Sequence, residues 1–228
     1  MVEQAKYLAK NTEIKNGGIY FIFSANPDGA KIALDGIEHI PNQTTKKFLL
    51  LANKGLDFSH YKANVNLVDL NTNFDADWGT GSQNLFEPSP ANFVGFYPNS
   101  EREVQNLINF TKKVRPRLTL SYHAKGEVIF YGFAGQSPEE QKRDYEIGNQ
   151  FSKATGYKLI QTKNSSGGYK DWCVQKLKIP AYTIEVGNDK LSHPLTNRHL
   201  PKIFKQNKDL PILALNLAMK YQEEVKKK

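Results

Sequence analysis

The chain has 228 residues, 39% of them hydrophobic, and a formal net charge of +8, enough for one sizeable core, and no Pro/Gly/Ser-rich linker divides 1–228 into more than a single domain. No apolar run approaches the ~20 residues needed to span a bilayer, and residues 1–11 (MVEQAKYLAKN) have neither the apolar stretch nor the cleavage site of a signal peptide. The lone Cys173 excludes an internal disulfide framework and a thiolate metal site, so a metal here requires His and carboxylate ligands.

Residues 19–25 (IYFIFSA) form a β-rich apolar run between Gly17-Gly18 and the turn formers Asn26-Pro27-Asp28-Gly29. The pattern predicts a buried strand ending in a tight turn. From Gly29 to Leu85 the chain is turn-rich and weakly periodic, which inside a compact domain marks a functional segment. Residues 101–114 place Val104, Leu107, Ile108 and Phe110 on one helical face, with Ser100 as N-cap and Glu103 as its capping-box partner. Residues 118–122, 128–133 and 181–186 are too short and too rich in β-branched or aromatic side chains for helix, and predict strands. Ser137-Pro138-Glu139-Glu140 opens a helix that runs to about Thr155 and is closed by Gly156. Proline fits its first turn and the acids suit its positive end. Further helices are expected over residues 168–177 and 210–224. Helices alternating with buried strands point to the α/β class, a three-layer α/β/α sandwich with a mixed, largely parallel central sheet.

Two residues have a chemical reading of their own, which leaves their role open. His123 ends a predicted strand, where it faces the crevice in which open α/β sheets bind ligands; a hydrogen-bonded structural histidine would satisfy the same pattern. Glu185 lies between Ile184 and Val186, a costly place for a carboxylate unless it is catalytic or ion-paired with a buried lysine.

Seven segments, in order, resemble the zinc carboxypeptidases of the M14 family. They are residues 26–29 (NPDG), 61–64 (YKAN), 68–74 (VDLNTNF) with Trp78, 95–101 (GFYPNSE), 120–123 (LSYH), 166–172 (SGGYKDW) and 183–187 (TIEVG). The resemblance implies a zinc-dependent metallocarboxypeptidase that hydrolyses peptide bonds with metal-activated water. It makes His123 a zinc ligand, and Glu185 the general base that takes a proton from zinc-bound water and passes it to the leaving amine. Lys62 matches the family's cation for the tetrahedral oxyanion, and Asn71 the residue that binds a substrate's terminal carboxylate. The arginine usual beside Asn71 is Thr72 here, which weakens carboxylate anchoring and strict exopeptidase specificity. Lys170 falls at the base of the family's side-chain pocket, where a cation favours an acidic group; a solvent-exposed Lys170 is the competing reading. The tyrosine that often closes over substrate in the family has Lys163 at its place.

The family's other two zinc ligands come from an His-x-x-Glu motif well before NPDG. None of the histidines is followed three positions later by Glu, and only 25 residues precede Asn26. The family's first strands, a central one included, belong to that same stretch. The resemblance therefore implies an N-terminally incomplete catalytic domain lacking those strands, with a complementing N-terminal segment as one partner. The other expected partner is a peptide substrate bearing an acidic group, such as the cell-wall peptides cut by bacterial γ-D-glutamyl-diaminopimelate peptidases of the family. Neither nucleic acid nor a membrane is expected, because the lysines are dispersed and their densest runs sit at a helix end and the chain end. With no address in the sequence, a soluble chain is expected, the cytoplasm being slightly favoured. Two other readings compete, a peptide-binding homologue that does not hydrolyse and a basic surface for a polyanion.

Overall fold

A computed structural model describes residues 1–162 and 164–226, with side chains through Tyr221. Lys163 and the last two lysines lie outside the described residues. In chain order the helices are α1 (Val2–Asn11), α2 (Pro27–Asp35), α3 (Gln43–Asn53), α4 (Arg102–Val114), α5 (Pro138–Thr155), α6 (Tyr169–Trp172), α7 (Leu200–Asn207) and α8 (Leu210–Lys226). The strands are β1 (Thr119–Ala124), β2 (Val128–Tyr131), β3 (Lys158–Gln161) and β4 (Ala181–Val186). They divide between two compact units, one of residues 1–23, 116–163 and 173–228, the other of residues 24–115 and 164–172.

The first unit holds the sheet, in the order β1-β4-β2-β3. β1 runs parallel to β4 and β2 parallel to β3, while β2 and β4 are antiparallel. The sheet is thus mixed and largely parallel, as the sequence predicts for an α/β sandwich. Alternation along the strands sorts its side chains. Leu120, Tyr122, Ile129, Tyr131, Tyr182 and Ile184 join a core with Ile147 and Phe151 of α5 and Leu210 and Ala214 of α8. Successive strand residues point to opposite faces, so Ser121, His123, Thr183 and Glu185 share the other face. Burying a side chain such as Ile184 contributes about 1.5–3 kcal/mol, and a slip of one residue would turn the whole apolar set outward. The core therefore fixes the register that puts His123 and Glu185 on one face.

Local chemistry sets the first unit's longest internal helix. Ser137 Oγ accepts from the Glu140 N–H at 3.2 Å, the Glu140 carboxylate accepts from the Ser137 N–H at 2.8 Å, and Gly156 ends the helix at φ 76. The Tyr182 hydroxyl donates to the Asp144 carbonyl at 2.8 Å, which ties β4 to α5. Residues 19–25 contradict the predicted buried strand. They form no strand and are largely exposed, Phe23 by 56%. The cause is pairing: β propensity is realised only against a ladder partner, and β1 has a ladder on one side only, with β4.

In the second unit NPDG is a helix start rather than a closing turn. Asn26 Oδ1 accepts from the Gly29 N–H at 2.9 Å, and Pro27 takes the first helical position of α2. α2 and α3 enclose a small core of Ile32, Ile37, Ile40, Leu49, Phe58 and Tyr61. α4 has Glu101, not Ser100, as its N-cap; the Ser100 hydroxyl donates to the Glu101 carboxylate at 2.7 Å and accepts from Asn73 Nδ2 at 3.0 Å. The irregular stretch before α4 is organised by buried asparagines. Asn64 Oδ1 accepts from the Asn66 and Val68 N–H groups at 3.0 and 3.2 Å, and its Nδ2 donates to Glu101 at 2.8 Å. Asn73 Nδ2 donates to the Val94 carbonyl at 2.8 Å. These bonds satisfy loop backbone that no ladder reaches. No helix among the described residues is long and apolar enough to cross a membrane.

Candidate active site

His123 and Glu185 are register partners in the parallel β1–β4 ladder, each the fifth residue of a six-residue strand. Adjacent strands lie about 4.8 Å apart, so the two side chains leave one face of the sheet as neighbours. They do so at the C-terminal ends of their strands, where open α/β sheets present functional groups. Val128 of the antiparallel β2 lies across from Glu185 on its other side. Both site side chains are partly buried. A neighbouring imidazole and carboxylate in that position can contribute a metal donor and a proton acceptor.

The turn between β1 and β2 locks the ends of this pair together. The Gly126 and Glu127 N–H groups both donate to the Gly187 carbonyl, at 2.7 and 3.0 Å. Gly187 sits at φ 76, and a Cβ there would fall 2.6 Å from Leu195 Cδ1, so the sharp exit after Glu185 needs glycine. The Glu127 carboxylate accepts from Asn188 Nδ2 at 2.8 Å, Lys202 Nζ at 2.8 Å and Gln206 Nε2 at 3.2 Å. The Asn188 hydrogen bond first, and the Lys202 contact next, hold the Glu127 carboxyl below its ordinary pKa. Sequence reasoning missed this clamp because its partners lie 61 to 79 positions away.

The second unit carries the other predicted residues. Lys62 and Asn71 are both exposed. The Lys62 N–H donates to the Pro90 carbonyl at 2.9 Å, and its own carbonyl accepts from Asn26 Nδ2 at 3.1 Å, so the residue that caps α2 also fixes the backbone under Lys62. Asn71 lies in the short turn Leu70–Thr72, its N–H bonded to Asp69 Oδ1 at 3.1 Å. Gly167 packs against that turn: it donates to the Ala76 carbonyl at 2.8 Å, and a Cβ on it would strike the Thr72 carbonyl oxygen at 2.4 Å. Asn71 and the Gly168-to-Lys170 segment thus belong to one local assembly.

Lys170 is only 5% exposed and ion-pairs with Asp171, so the solvent-facing reading fails. Asp171 also accepts from the Ser165 hydroxyl and, at 3.2 Å, from the Gly168 N–H. Nothing in the sequence pairs Lys170 with Asp171, since adjacent residues on a regular helix do not face each other; α6 has only four residues. A substrate carboxylate reaching Lys170 would share a cation whose charge Asp171 already offsets in part. Lys163, at the place of the family's closing tyrosine, lies outside the described residues.

A catalytic zinc requires about three protein ligands. Among the described residues, no group of three or more His, Cys, Asp or Glu is placed to hold a metal ion. His123 offers one donor, so these residues alone do not fit a catalytic zinc centre.

Residues 3–209 match the model of the zinc carboxypeptidase family, peptidase M14. The γ-D-glutamyl-L-diamino acid endopeptidase 1 of Lysinibacillus sphaericus is 33% identical over 183 residues, which is 79% of this chain and 44% of that protein. Carboxypeptidase A2 of Rattus norvegicus is 30% identical over 118 residues, 46% of this chain and 28% of that protein. Among solved structures, the carboxypeptidase A from Helicoverpa armigera superposes with a TM-score of 0.58 at 21% identity, covering 86% of this chain and 49% of that one. The chain spans less than half the length of these proteins.

Proposed function

Because the chain belongs to the M14 family of zinc carboxypeptidases, we propose that it carries the general-base half of a peptidase site and hydrolyses a peptide bond when the remaining ligands are supplied. The observation behind this reading is the register pairing of His123 with Glu185 on one face of the sheet. Glu185 takes a proton from the attacking water and returns it to the leaving amine. Lys62 stabilises the oxyanion that forms, while Asn71 and the Lys170–Asp171 pair meet the substrate. Residues 1–228 act as a single catalytic domain. His123 is one zinc ligand, and the other two come from a complementing segment outside these 228 residues. No metal-dependent step is assigned to the described residues alone.

The substrate is a peptide with an additional carboxylate, cut at a γ-D-glutamyl-L-diamino acid bond. Support comes from the activity in the name of the Lysinibacillus relative. Thr72, in place of a carboxylate-binding arginine, fits cleavage within a peptide better than strict removal of a C-terminal residue.

The test supplies the complementing segment, in a longer polypeptide or as a second chain, and follows hydrolysis of a γ-D-glutamyl-L-diamino acid peptide. Turnover is expected, and Glu185→Gln should lower kcat by about 10²–10⁴ with substrate binding retained. Lys170→Glu should cost acidic substrates about one to two decades in kcat/KM relative to basic ones. Peptide binding without turnover in the completed wild type would instead support a non-hydrolysing binding homologue, a reading favoured by the lack, among the described residues, of any group of three metal donors.

A further inference from the structure

In the first unit, the ends of β1 and β4 carry a cation beside the His123–Glu185 pair. Lys125 follows His123 by two positions, in the turn from β1 to β2, and is partly buried. Its ammonium donates to the Asp189 carbonyl at 2.6 Å, so the side chain reaches from the end of β1 to the segment leaving β4. The same turn packs on Glu185: a Cβ on Gly126 would fall 3.5 Å from the Glu185 Cβ and 3.7 Å from Asp189 Oδ1. These contacts face β4, where β1 has its ladder, and do not involve the outer edge of β1. The charge of Lys125 is not offset by an acid among the described residues. Glu127, the acid nearest to it in sequence, accepts instead from Asn188, Lys202 and Gln206. The exposed Asp189 touches the ammonium through its neutral carbonyl. Lys170, by contrast, is already paired with Asp171. A half-buried ammonium that gives one proton to a carbonyl keeps donors for an anionic group of a ligand.

We propose that Lys125 is a specificity-determining residue that binds the α-carboxylate of the glutamyl residue on the acyl side of the scissile bond. The inference rests on the γ-D-glutamyl peptidase reading and deepens it. In a γ-glutamyl bond the reacting carbonyl is the end of the glutamate side chain. The α-carboxylate is therefore free, about 5 Å away along the extended side chain. An ordinary peptide bond places no carboxylate there. Such a substrate brings a negative charge close to the carboxylate of Glu185, and the two repel unless a cation lies between or beside them. Lys125, next in sequence to the glycine that packs on Glu185, supplies that cation. The bond to the Asp189 carbonyl fixes the ammonium in place, and its remaining protons meet the carboxylate oxygens.

The test compares N-acetyl-γ-D-glutamyl-L-lysine with the same peptide bearing an α-carboxamide on its glutamyl residue, using the polypeptide completed as above. In the wild type kcat/KM should favour the free carboxylate about tenfold, and the preference should shrink as salt is raised. Lys125→Met should abolish the preference by slowing the carboxylate peptide alone, whereas Lys125→Arg should keep most of it. Lys125→Gln takes the place of the methionine variant if unfolding midpoints show that the latter does not fold. Absence of a preference in the wild type would overturn the proposal, as would a preference that survives loss of the cation. An equal loss on both peptides would also overturn it, by showing that Lys125 only braces the turn. If the completed wild type hydrolyses neither peptide, the peptidase reading fails and dissociation constants for the two peptides decide the matter. Tighter binding of the carboxylate form by about tenfold, lost in Lys125→Met, would then uphold the proposal; equal constants, or no binding, would overturn it.

Discussion

β4 and residues 19–25 are alike in composition and opposite in outcome. Both are short, β-branched and aromatic. β4 lies between β1 and β2, with Tyr182 and Ile184 fully buried against α5. Residues 19–25 have no such neighbours and lie mostly in solvent. A strand is a property of a pair of segments, not of one, so apolar β-rich sequence specifies a strand only where a second backbone answers it. The site inherits this lesson, because Glu185 is placed by the ladder that joins β4 to β1.

The largest test of the contrast is hydrogen exchange on the 228-residue chain. Amides of residues 182–186 should open only with global unfolding, at about 5–15 kcal/mol, while those of residues 19–23 exchange with almost no protection. Similar protection in the two segments would break the comparison. Next in size is a pair of truncations followed by urea denaturation. Ile184→Ala, at a fully buried position in the sheet core, should cost about 2–5 kcal/mol, whereas Ile22→Ala should change stability by less than about 0.5 kcal/mol. A smaller effect is expected from Tyr182→Phe, which deletes the buried bond to the Asp144 carbonyl and should cost about 1 kcal/mol.

The smallest expected effect lies at the pinned end of β4. Glu127 has a depressed pKa in the fold, owing to the Asn188 hydrogen bond and then Lys202. Its contribution is present above the unfolded carboxyl value of about 4.3 and is lost as pH falls through the lower folded value. Glu127→Gln should therefore slightly lower stability at neutral pH and flatten the acid side of the profile. Unfolding midpoints measured between neutral pH and about pH 3 check this sign, and parallel profiles for the two proteins would contradict it.

Segments whose partners are local or whose core is continuous were legible in the sequence. Ser137 and Glu140 announce α5 because both halves of the capping box lie within one turn. β1, β2 and β4 were legible because their apolar residues feed a single core. β3 (KLIQ) has only four residues with exposed ends, too little for a periodic signal. α2 hid behind Asn26 and Pro27, which start a helix as readily as a turn. In the site, the resemblance brought His123 and Glu185 to attention, while their adjacency comes from the β1–β4 register, which no local sequence pattern encodes. The Lys170–Asp171 pair and the Glu127 clamp could not be read, since one depends on an irregular four-residue helix and the other on contacts distant in sequence.

We propose that this chain carries His123 and Glu185 of an M14 site, and among the described residues no group of three metal donors is placed to complete a zinc centre. Metal analysis of the 228-residue chain, dialysed against a slight excess of zinc and then desalted, tests it most directly. We predict far less than one zinc per chain, because a single histidine does not replace a site of about three ligands. One tightly held zinc per chain, lost on His123→Ala, would contradict the claim and show that this chain holds the missing ligands itself.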